Sequence, residues 1–522
     1  MKKITLISLA LILGVVILIV SIAFYNIRDR NPGYRLNLKL PADSTAVPDT
    51  SFLVGLAKIP ITPSIEDTWI DADSNARFEP KKGDSLIDNN QNGKFDAFWL
   101  AGFQNNRPAT GVHDDLWART VVWDDGVVCV ALTAIDAIGF FHDDVIDVRK
   151  MLAEQLPEVD HLIISSSHCH EVPDLMGLWG PKFTKSGVNI AYLQFVKEQI
   201  IASVNNAFKN RRPAILKLAK IDSTASDLVD DGRPPRVLDD AIHLMQFCDP
   251  TTEAPFGILM NWGNHPETLE SKNLQVTADF CYYWLKGIEE GIRYPDELKR
   301  EGIGGIAIFA NGAIGGLMST IGVTVYDPWL DIHFEKASFD KARAQGYRLA
   351  DLVLEKVNSD QWRTVTNPAI KLRAKTFLFD IENTHFKLGG ALGIFHRGFV
   401  NFKKIRSEVN AFTIGPAGFV TVPGEINPEL VNGGIEVPEG ADFPDDPIEL
   451  PVIRELMPGE YKFVLGLAND EVGYIMPKTH WDTEAPYTYG AKRPHYGEIN
   501  SLGPEAGPTV HRELQAMLEG LK

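Results

Sequence analysis

The chain has 522 residues and a net charge of −18, with 51 Lys and Arg against 69 Asp and Glu. Hydrophobic residues make up 44% and aromatic residues 10% of the sequence, which is typical of a globular protein with a large core. Because a phosphate backbone is bound by clustered Lys and Arg, this acidic balance argues against a nucleic-acid partner. The four cysteines predict buried thiols rather than a disulfide framework.

Residues 1–30 predict a membrane anchor. Lys2 and Lys3 precede an apolar run from Ile4 to Tyr25, which reaches the roughly 20 residues needed to span a bilayer. A cleaved signal peptide has a shorter apolar core and a small-residue cleavage site, which residues 21–25 match poorly. We expect an uncleaved signal anchor, with the body of the protein on the periplasmic or extracellular side; cleavage would make the protein secreted.

Residues 31–51 are rich in Pro, Ser, Thr and Asp, and they predict a linker between the membrane and a folded domain at residues 52–522. The domain begins with a strand that contains Val54, and this strand ends at a proline-bounded turn.

A calcium-binding insertion is predicted at about residues 67–99. Acid and amide side chains alternate there, and Gly93 permits a sharp turn, as in the calcium loops of EF-hand-like and dockerin-like proteins. Trp99 replaces the usual last glutamate of the loop, so Glu79 or Asp84 is expected to complete the shell. We expect a structural Ca²⁺; the alternative is an acid-rich surface turn. The predicted ligands are Asp71, Asp73, Asn75, Asp88, Asn90, Asn92 and Asp96.

The remaining chain alternates between apolar runs and amphipathic segments, and no internal repeat is evident. Helical spacing predicts helices at residues 141–156, 192–208 and 341–357. This alternation predicts an α/β fold, one large domain with mixed sheets flanked by helices, whose functional residues gather at strand ends. The predicted strands lie at 127–135, 162–164, 215–221, 241–248, 370–381 and 411–421, and two more begin at residues 256 and 305.

Two of these strands lead to histidines. The run at 162–164 ends in small polar residues followed by His168 and His170, and the strand that begins at 256 leads to His265. One histidine of the first pair is expected to bind a metal while the other serves as acid, base or substrate contact; the alternative is a hydrogen-bonded pair in a polar loop. Cys169 between them is interpreted as a packed strand residue rather than a metal ligand or nucleophile.

Two further side chains follow strands, Glu425 on a tight turn and Tyr474 after an apolar run. Taken singly, they are typical of a solvated turn acid and a half-buried tyrosine.

Taken in order, these motifs resemble the amino-terminal catalytic domain of the neutral, non-lysosomal ceramidase family. The resemblance covers nearly the whole chain after the linker. It rests on Val54-Gly-Leu-Ala-Lys-Ile-Pro-Ile-Thr62, Gly111-Val-His-Asp-Asp-Leu-Trp-Ala-Arg119, Ser-Ser-His168-Cys-His170, Asn261-Trp-Gly-Asn-His265-Pro, Val422-Pro-Gly-Glu425 and Gly466-Leu-Ala-Asn-Asp-Glu-Val-Gly-Tyr474.

The resemblance implies a zinc-dependent amidase that cleaves N-acyl sphingoid bases into fatty acid and amine. Carried over residue by residue, it implies Zn²⁺ ligands at His168, His265, Glu425 and Tyr474. His170 would be the acid/base or substrate-hydroxyl contact, and Arg233 matches a family arginine near the scissile carbonyl. The expected partners are a lipid or other small acylated substrate and the membrane.

Three departures from the family pattern stand out. On an ungapped match the family's serine falls on Met318, with Ser319 one residue along as the candidate nucleophile position. The resemblance is to the catalytic domain alone, so we expect no counterpart of the family's carboxy-terminal β-sandwich within these residues. Glu171-Val-Pro-Asp174 replaces a Ser-Gly-Pro-Gly signature, which predicts acids near the cleft entrance. Two alternatives remain open: a hydrolase of another amide or ester, such as an acylated sugar or amino acid, and a catalytically silent metal-binding envelope protein.

Overall fold

The protein is described here from a computed structural model, which covers residues 2–43, 51–222, 227–295 and 297–521. The helices are α1 (Lys2–Asn26), α2 (His142–Gln155), α3 (Ile190–Lys209), α4 (Phe280–Glu290), α5 (Phe339–Val357), α6 (Thr384–Ala391), α7 (Pro428–Asn432), α8 (Ile453–Leu456), α9 (Tyr496–Ile499) and α10 (Ala506–Glu519).

The strands in the first half of the chain are β1 (Asn37–Leu40), β2 (Leu53–Pro60), β3 (Thr68–Ile70), β4 (Ser85–Ile87), β5 (Gly111–Val112), β6 (Trp117–Asp124), β7 (Cys129–Ile135), β8 (His161–Ser166), β9 (Arg212–Pro213), β10 (Ile215–Ile221), β11 (Asp230–Asp231), β12 (Ile242–Cys248) and β13 (Pro255–Trp262). Those in the second half are β14 (Gln275–Val276), β15 (Ile292–Tyr294), β16 (Glu297–Arg300), β17 (Ile306–Asn311), β18 (Met318–Ser319), β19 (Val325–Asp327), β20 (Ile332–Phe334), β21 (Arg363–Val365), β22 (Ile370–Asp380), β23 (Lys404–Ile414), β24 (Ala417–Thr421), β25 (Glu425–Ile426), β26 (Tyr461–Leu465) and β27 (Tyr474–Ile475).

Three five-stranded sheets form the body of the described part of the chain. Their strand orders are β8-β7-β6-β2-β9, β17-β13-β12-β10-β21 and β1-β22-β23-β24-β26. Each contains one parallel pair, β7 with β8, β13 with β17 and β24 with β26, among antiparallel neighbours. The mixed α/β fold predicted from the sequence is confirmed.

The three sheets share one apolar core and carry helices on their outer faces. Trp123 of the first sheet, Phe247 of the second and Phe412 of the third belong to the same buried cluster. On the outer sides, α2 and α3 pack with the first sheet, α4 and α5 with the second, and α10 with the third. Because the three sheets pack around one core, the carboxyl ends of their parallel strands lie close together. The residues that follow these strands therefore meet.

Helix α1 is apolar, and no residue from Ile7 to Asn26 is buried. Its segment Ile7–Asn26 has a mean hydropathy of 3.0, so by length and composition it is able to cross a membrane. Its last turn packs on α6 through Asn26, whose amide donates to the carbonyl of Ala391 at 2.9 Å.

The described part of the predicted linker, residues 31–43, is not free of the domain. Strand β1 pairs with β22, with Asn37 opposite Lys375 and Leu40 opposite Leu372. Leu36, Leu38 and Leu40 alternate with polar residues and supply an apolar face that packs against the shared core. This alternation indicates a strand, but the prolines of the segment favoured a linker in the sequence analysis. Residues 44–50 of the predicted linker lie outside the described residues.

Most predicted elements are present within a few residues of their predicted bounds, with one clear exception. The strand predicted at 411–421 is the end of β23, a turn and β24, which pair antiparallel. Gly415 in that turn has φ of +57°, a conformation that glycine adopts at little cost.

The acid-rich insertion contains an internal repeat that the sequence analysis missed. Residues 67–79 and 84–96 share the pattern Asp-x-x-Ile-Asp-x-(Asp/Asn)-x-Asn-(Ala/Gly)-(Arg/Lys)-Phe-(Glu/Asp). Their strands β3 and β4 pair antiparallel, which relates the two copies by an approximate twofold axis. Ala76 stands where the second copy has Gly93, so the glycine signal appeared only once.

Candidate active site

His168 and His265 follow β8 and β13 and are held with the same ring nitrogen facing the site. Nδ1 of His168 lies 2.6 Å from the carbonyl oxygen of Ile138, and Nδ1 of His265 lies 2.6 Å from that of Met318. A carbonyl only accepts, so each Nδ1 carries a proton and donates it, which leaves Nε2 as the nitrogen of each ring that faces the site. His168 has φ of +66°, an uncommon conformation for a non-glycine residue that turns its ring into the site.

Glu425 and Tyr474 lie opposite each other in the parallel pair β25 and β27. Oε2 of Glu425 is 3.1 Å from Nε2 of His265 and 3.7 Å from Nε2 of His168. The Tyr474 hydroxyl lies close enough to Glu425 to help lower the pKa of that carboxyl. The structure thus brings together the four side chains that the resemblance implied as zinc ligands, and all four are buried.

His170 lies beside this group and faces a carboxylate that the sequence analysis did not assign. Nδ1 of His170 is 3.1 Å from Oε2 of Glu267. The other oxygen of Glu267 accepts a hydrogen bond from the Ser319 hydroxyl at 2.5 Å. Glu267 follows His265 by two residues, after Pro266, and this proximity to a candidate ligand was the signal available in the sequence.

The serine position is clear in the structure. Ser319 lines the cavity described below, whereas the side chain of Met318 is buried and its carbonyl oxygen orients His265. A parallel bridge between His265 and Ser319 fixes this register. Ser319 therefore presents a hydroxyl to the cavity one residue along from the ungapped match, and its role as the family's serine stays a prediction.

The pKa shifts of His168, Glu267 and Glu425 fit metal binding, whereas the carboxylates of Glu425 and Glu267 outweigh burial and raise the pKa of His265. Burial lowers the pKa of His168 to about 3 although Glu425 opposes this, so its imidazole is neutral at neutral pH. Burial would raise the pKa of Glu267, but the charge and proximity of His170 outweigh it and lower that pKa to about 2. Burial opposes ionisation of Glu425 as well, yet His168 and His265 hold its pKa below the ordinary value.

The donor set fits a zinc-type ion. Two imidazole nitrogens, a carboxylate and a phenol oxygen converge, and second partners fix the orientation of both histidines. His168, His170 and His265 also place three ring nitrogens within 4.8 Å of one another, so His170 is near enough to be a ligand itself.

An apolar cavity of about 570 Å³ opens beside the histidines. Its walls are largely aromatic and aliphatic, and its polar lining besides the site residues includes Asp230, Arg397 and Glu471. A cavity of this size and character accepts a ligand with a long apolar part. The apolar lining includes Phe103, Phe141, Met176, Trp179, Phe386, Phe395 and Phe399.

Arg233 is not among the residues that line this cavity. Its guanidinium donates to both carboxylate oxygens of Glu498, at 2.8 and 2.7 Å, and to the carbonyl oxygen of His480. These protein acceptors engage both terminal nitrogens and give Arg233 a buried ion pair with Glu498, and its position near a scissile carbonyl stays a prediction.

The predicted acids at the entrance are instead fully buried. Glu171 lies 3.9 Å from the guanidinium of Arg107, and burial raises its pKa well above the ordinary value. Asp174 accepts backbone hydrogen bonds from Met176, Gly177 and Trp179. Both carboxyls therefore support the loop after the histidines and do not face the entrance.

Two residues missed by the sequence analysis hold His170 in place, one through its backbone and one through its ring. Arg107 donates to the carbonyl oxygens of Ala101 and His170. Gly102 packs directly against the ring, since an added Cβ would lie 2.3 Å from Cγ of His170. Its φ of +96° also favours glycine.

The two acidic loops are closed in the same way, each by an acid from the start of the other copy. Asp84 accepts from the backbone nitrogens of Ala72 and Glu79. Asp67 accepts from those of Asn89 and Asp96. Carboxylate oxygens of Asp71, Asp73 and Asp84 lie within 4.8 Å of one another. Asp84 thus lies with the first loop and not with the loop in which Trp99 replaces the last glutamate, and its role as a calcium ligand stays a prediction.

Comparisons with known proteins find similarity in structure but not in sequence. No family model matches the chain, and no curated protein sequence matches it. A crystal structure of neutral ceramidase from Pseudomonas aeruginosa superposes with a TM-score of 0.64 at 14% identity, covering 91% of this chain and 75% of that chain. A structure described as ceramidase complexed with C2 gives 0.63 at 14% identity over the same shares. The chain therefore shares the fold of these proteins.

Proposed function

We propose that this protein belongs to the neutral ceramidase family and is a zinc-dependent amide hydrolase that cleaves N-acyl sphingoid bases into fatty acid and amine. One observation carries the proposal: His168, His265, Glu425 and Tyr474 converge beside a largely apolar cavity of about 570 Å³. The shared fold supports it.

In this proposal His168, His265, Glu425 and Tyr474 hold the ion. Zinc bound by such ligands supplies Lewis acidity toward an amide carbonyl and toward water.

The chain's own residues position the substrate and move the proton. In this proposal Glu267, with Oε2 at 3.1 Å from Nδ1 of His170, orients the ring so that Nε2 faces the reacting groups, where a proton is held and passed to the leaving amine. The Ser319 hydroxyl, fixed by Glu267, offers a polar contact at the cavity wall. Aromatic and aliphatic walls hold the acyl chain and exclude water from the bond that breaks.

The alternatives predict different substrates for the same site. The polar lining by Asp230, Arg397 and Glu471 is the feature that favours an acylated amino acid or sugar. The intact His170, Glu267 and Ser319 arrangement argues against a silent metal-binding protein.

A substrate panel tests the proposal: N-acylsphingosine, a fatty-acyl amino acid, a fatty-acyl sugar and a fatty-acyl ester, each with zinc-loaded protein. We expect the highest kcat/KM for N-acylsphingosine and none above background with His168→Ala. Preference for another member would replace the substrate, and inactivity on all four with zinc bound would support the silent alternative.

We also propose that the acidic insertion binds structural Ca²⁺. The support is the repeat itself, because both copies place oxygen side chains at alternate positions of a tight loop. An ion bound only by the folded state raises the melting temperature with its concentration. We expect Ca²⁺ to raise Tm, a smaller rise with Asp73→Asn, and an unchanged rise with the exposed control Asp360→Asn. No effect of Ca²⁺ on Tm would contradict the proposal.

We further propose that α1 spans a membrane as a signal anchor, with the catalytic body outside the cytoplasm. Its length, its apolar composition and the exposure of most of its residues from Ile7 to Asn26 support this placement.

A further inference from the structure

The segment from Thr384 to Lys404 forms one wall of the apolar cavity. It comprises α6 and the loop that leads to β23. Its inward side chains Phe386, Phe395 and Phe399 line the cavity. Gly389 and Gly390 let two of these rings approach, since an added Cβ would lie 2.7 Å from Phe395 and 2.4 Å from Phe399.

The outward side of the same segment is apolar and basic. Leu388, Leu392 and Phe402 are 55%, 49% and 50% exposed. Lys387 and Lys403 are exposed beside them. No Asp or Glu occurs between residues 384 and 404, although the chain contains 69 acidic residues and carries a net charge of −18. Large exposed apolar side chains flanked by lysines are typical of a surface that meets lipid head groups.

This outward side lies at the end of α1. The rings of Phe24 and Phe402 meet edge to face at 4.9 Å, and the backbone nitrogen of Phe399 donates to the carbonyl of Ile27 at 3.2 Å. The amide of Asn26 bonds Ala391 at the end of α6. Where α1 leaves a bilayer, α6 is therefore already beside it, and a helix that spans the hydrocarbon ends at the head groups.

We propose that a docking face, made of Lys387, Leu388, Leu392, Phe402 and Lys403, lies in the head-group layer of the phospholipid bilayer that α1 spans. The leucines and Phe402 enter the acyl boundary, and the lysines meet lipid phosphates. A single wall, the segment 384–404, then separates the cavity from the membrane. The docking face rests on the membrane placement of α1 proposed above and not on the catalytic proposal.

Site-specific fluorescence tests this placement in the full chain. All four native cysteines are buried, so one introduced exposed cysteine takes an environment-sensitive dye selectively. Leu388→Cys and Leu392→Cys probe the docking face, and Ile12→Cys, 61% exposed on α1, reports insertion of the anchor. Val127→Cys is the distant control. The neighbouring Asp125 accepts a hydrogen bond from the backbone nitrogen of Ile370, which lies at the end of β22 farthest from α6. An eleven-residue strand separates these ends by roughly 35 Å.

Each labelled protein is placed, one copy per disc, in nanodiscs of mixed phosphatidylcholine and phosphatidylglycerol. Quenching is measured with a nitroxide-bearing lipid and with aqueous iodide. We expect the dyes at 12, 388 and 392 to lose most of their fluorescence to the lipid quencher and to resist iodide, and the dye at 127 to behave in the opposite way.

Three outcomes would overturn the docking face. Iodide quenching at 388 and 392 with lipid quenching at 12 would show an inserted anchor and a face in water. Protection of 388 and 392 from both quenchers would show a face covered by protein, including a second copy of this chain. Iodide quenching at 12 would remove the anchor and, with it, the membrane on which the docking face depends.

Discussion

Oε2 of Glu267 lies 3.1 Å from Nδ1 of His170, and this pair sets the direction in which the histidine presents its other nitrogen. The carboxylate is buried, and its pKa is lowered to about 2 because the neighbouring His170 outweighs the effect of burial. Glu267 is therefore ionised throughout the physiological range and acts as a fixed acceptor.

Replacing Glu267 with Gln is expected to lower kcat by roughly 10- to 100-fold while zinc content stays unchanged, because the amide orients His170 less strongly. Steady-state kinetics and metal analysis check this. Glu270→Gln, in the same segment but partly exposed, is the matched control and should retain activity. Equal losses in the two variants would contradict an orienting role for Glu267.

Removing a proposed zinc ligand is expected to remove the metal. His265→Ala should lower bound zinc from about one ion per chain to near zero and reduce hydrolysis more than ~100-fold, because the ion loses one of its donors. Elemental analysis after dialysis measures the metal. His333→Ala, at an exposed histidine, should keep it. Full zinc occupancy in His265→Ala would place the ion elsewhere.

Gly102→Ala is expected to displace His170 without disturbing the ligands. The new methyl group would lie 2.3 Å from Cγ of His170, so kcat should fall while zinc content is retained. Gly304→Ala is the control for backbone strain, since Gly304 also has positive φ, at +67°, but nothing lies within 4 Å of the added Cβ. We expect both variants to lose about 1 kcal/mol of folding stability, because alanine is strained at positive φ. Only Gly102→Ala should also lower kcat. Normal kcat in Gly102→Ala would contradict the close packing.

Asp136 is expected to make stability depend on pH. Burial raises its pKa to about 6, despite the opposing charge of Arg119, so the folded state holds a proton that the unfolded chain has released above about pH 4. The folded state binds more protons between about pH 4 and pH 6, and stability therefore falls as pH rises through this window, by at most about 3 kcal/mol.

Denaturant unfolding at several pH values measures this effect in Asp136→Asn against the wild type. The asparagine oxygen can still accept from the backbone nitrogen of Trp117. The wild type should lose stability relative to the variant as pH rises from 4 to 6. A stability difference that does not change over this range would contradict the raised pKa.

The convergence of the four proposed ligands was predictable only through the family resemblance. His168, His265, Glu425 and Tyr474 lie beyond β8, β13, β24 and β26, but it was the ordered set of motifs that combined them. The register that places Glu425 opposite Tyr474 was not predictable, since β25 and β27 are two residues long and carry no periodic signal.

The remaining site residues depend on packing that a sequence pattern does not encode. Arg233 has the right residue type in a promising motif, yet Glu498, which engages its guanidinium, lies 265 residues away in the chain. Gly102 gives no sign in the sequence that a histidine ring lies against it. The repeat in the insertion was obscured because Ala76 replaces a glycine and Glu79 replaces an aspartate, although both copies fold alike.

The most direct test of the proposed function is fatty-acid release from N-acylsphingosine by the full chain, measured with zinc, after chelation and after zinc is returned. We predict turnover with zinc, loss of turnover on chelation and recovery on return. Absence of turnover in protein shown to hold zinc at His168 and His265 would contradict the ceramidase function.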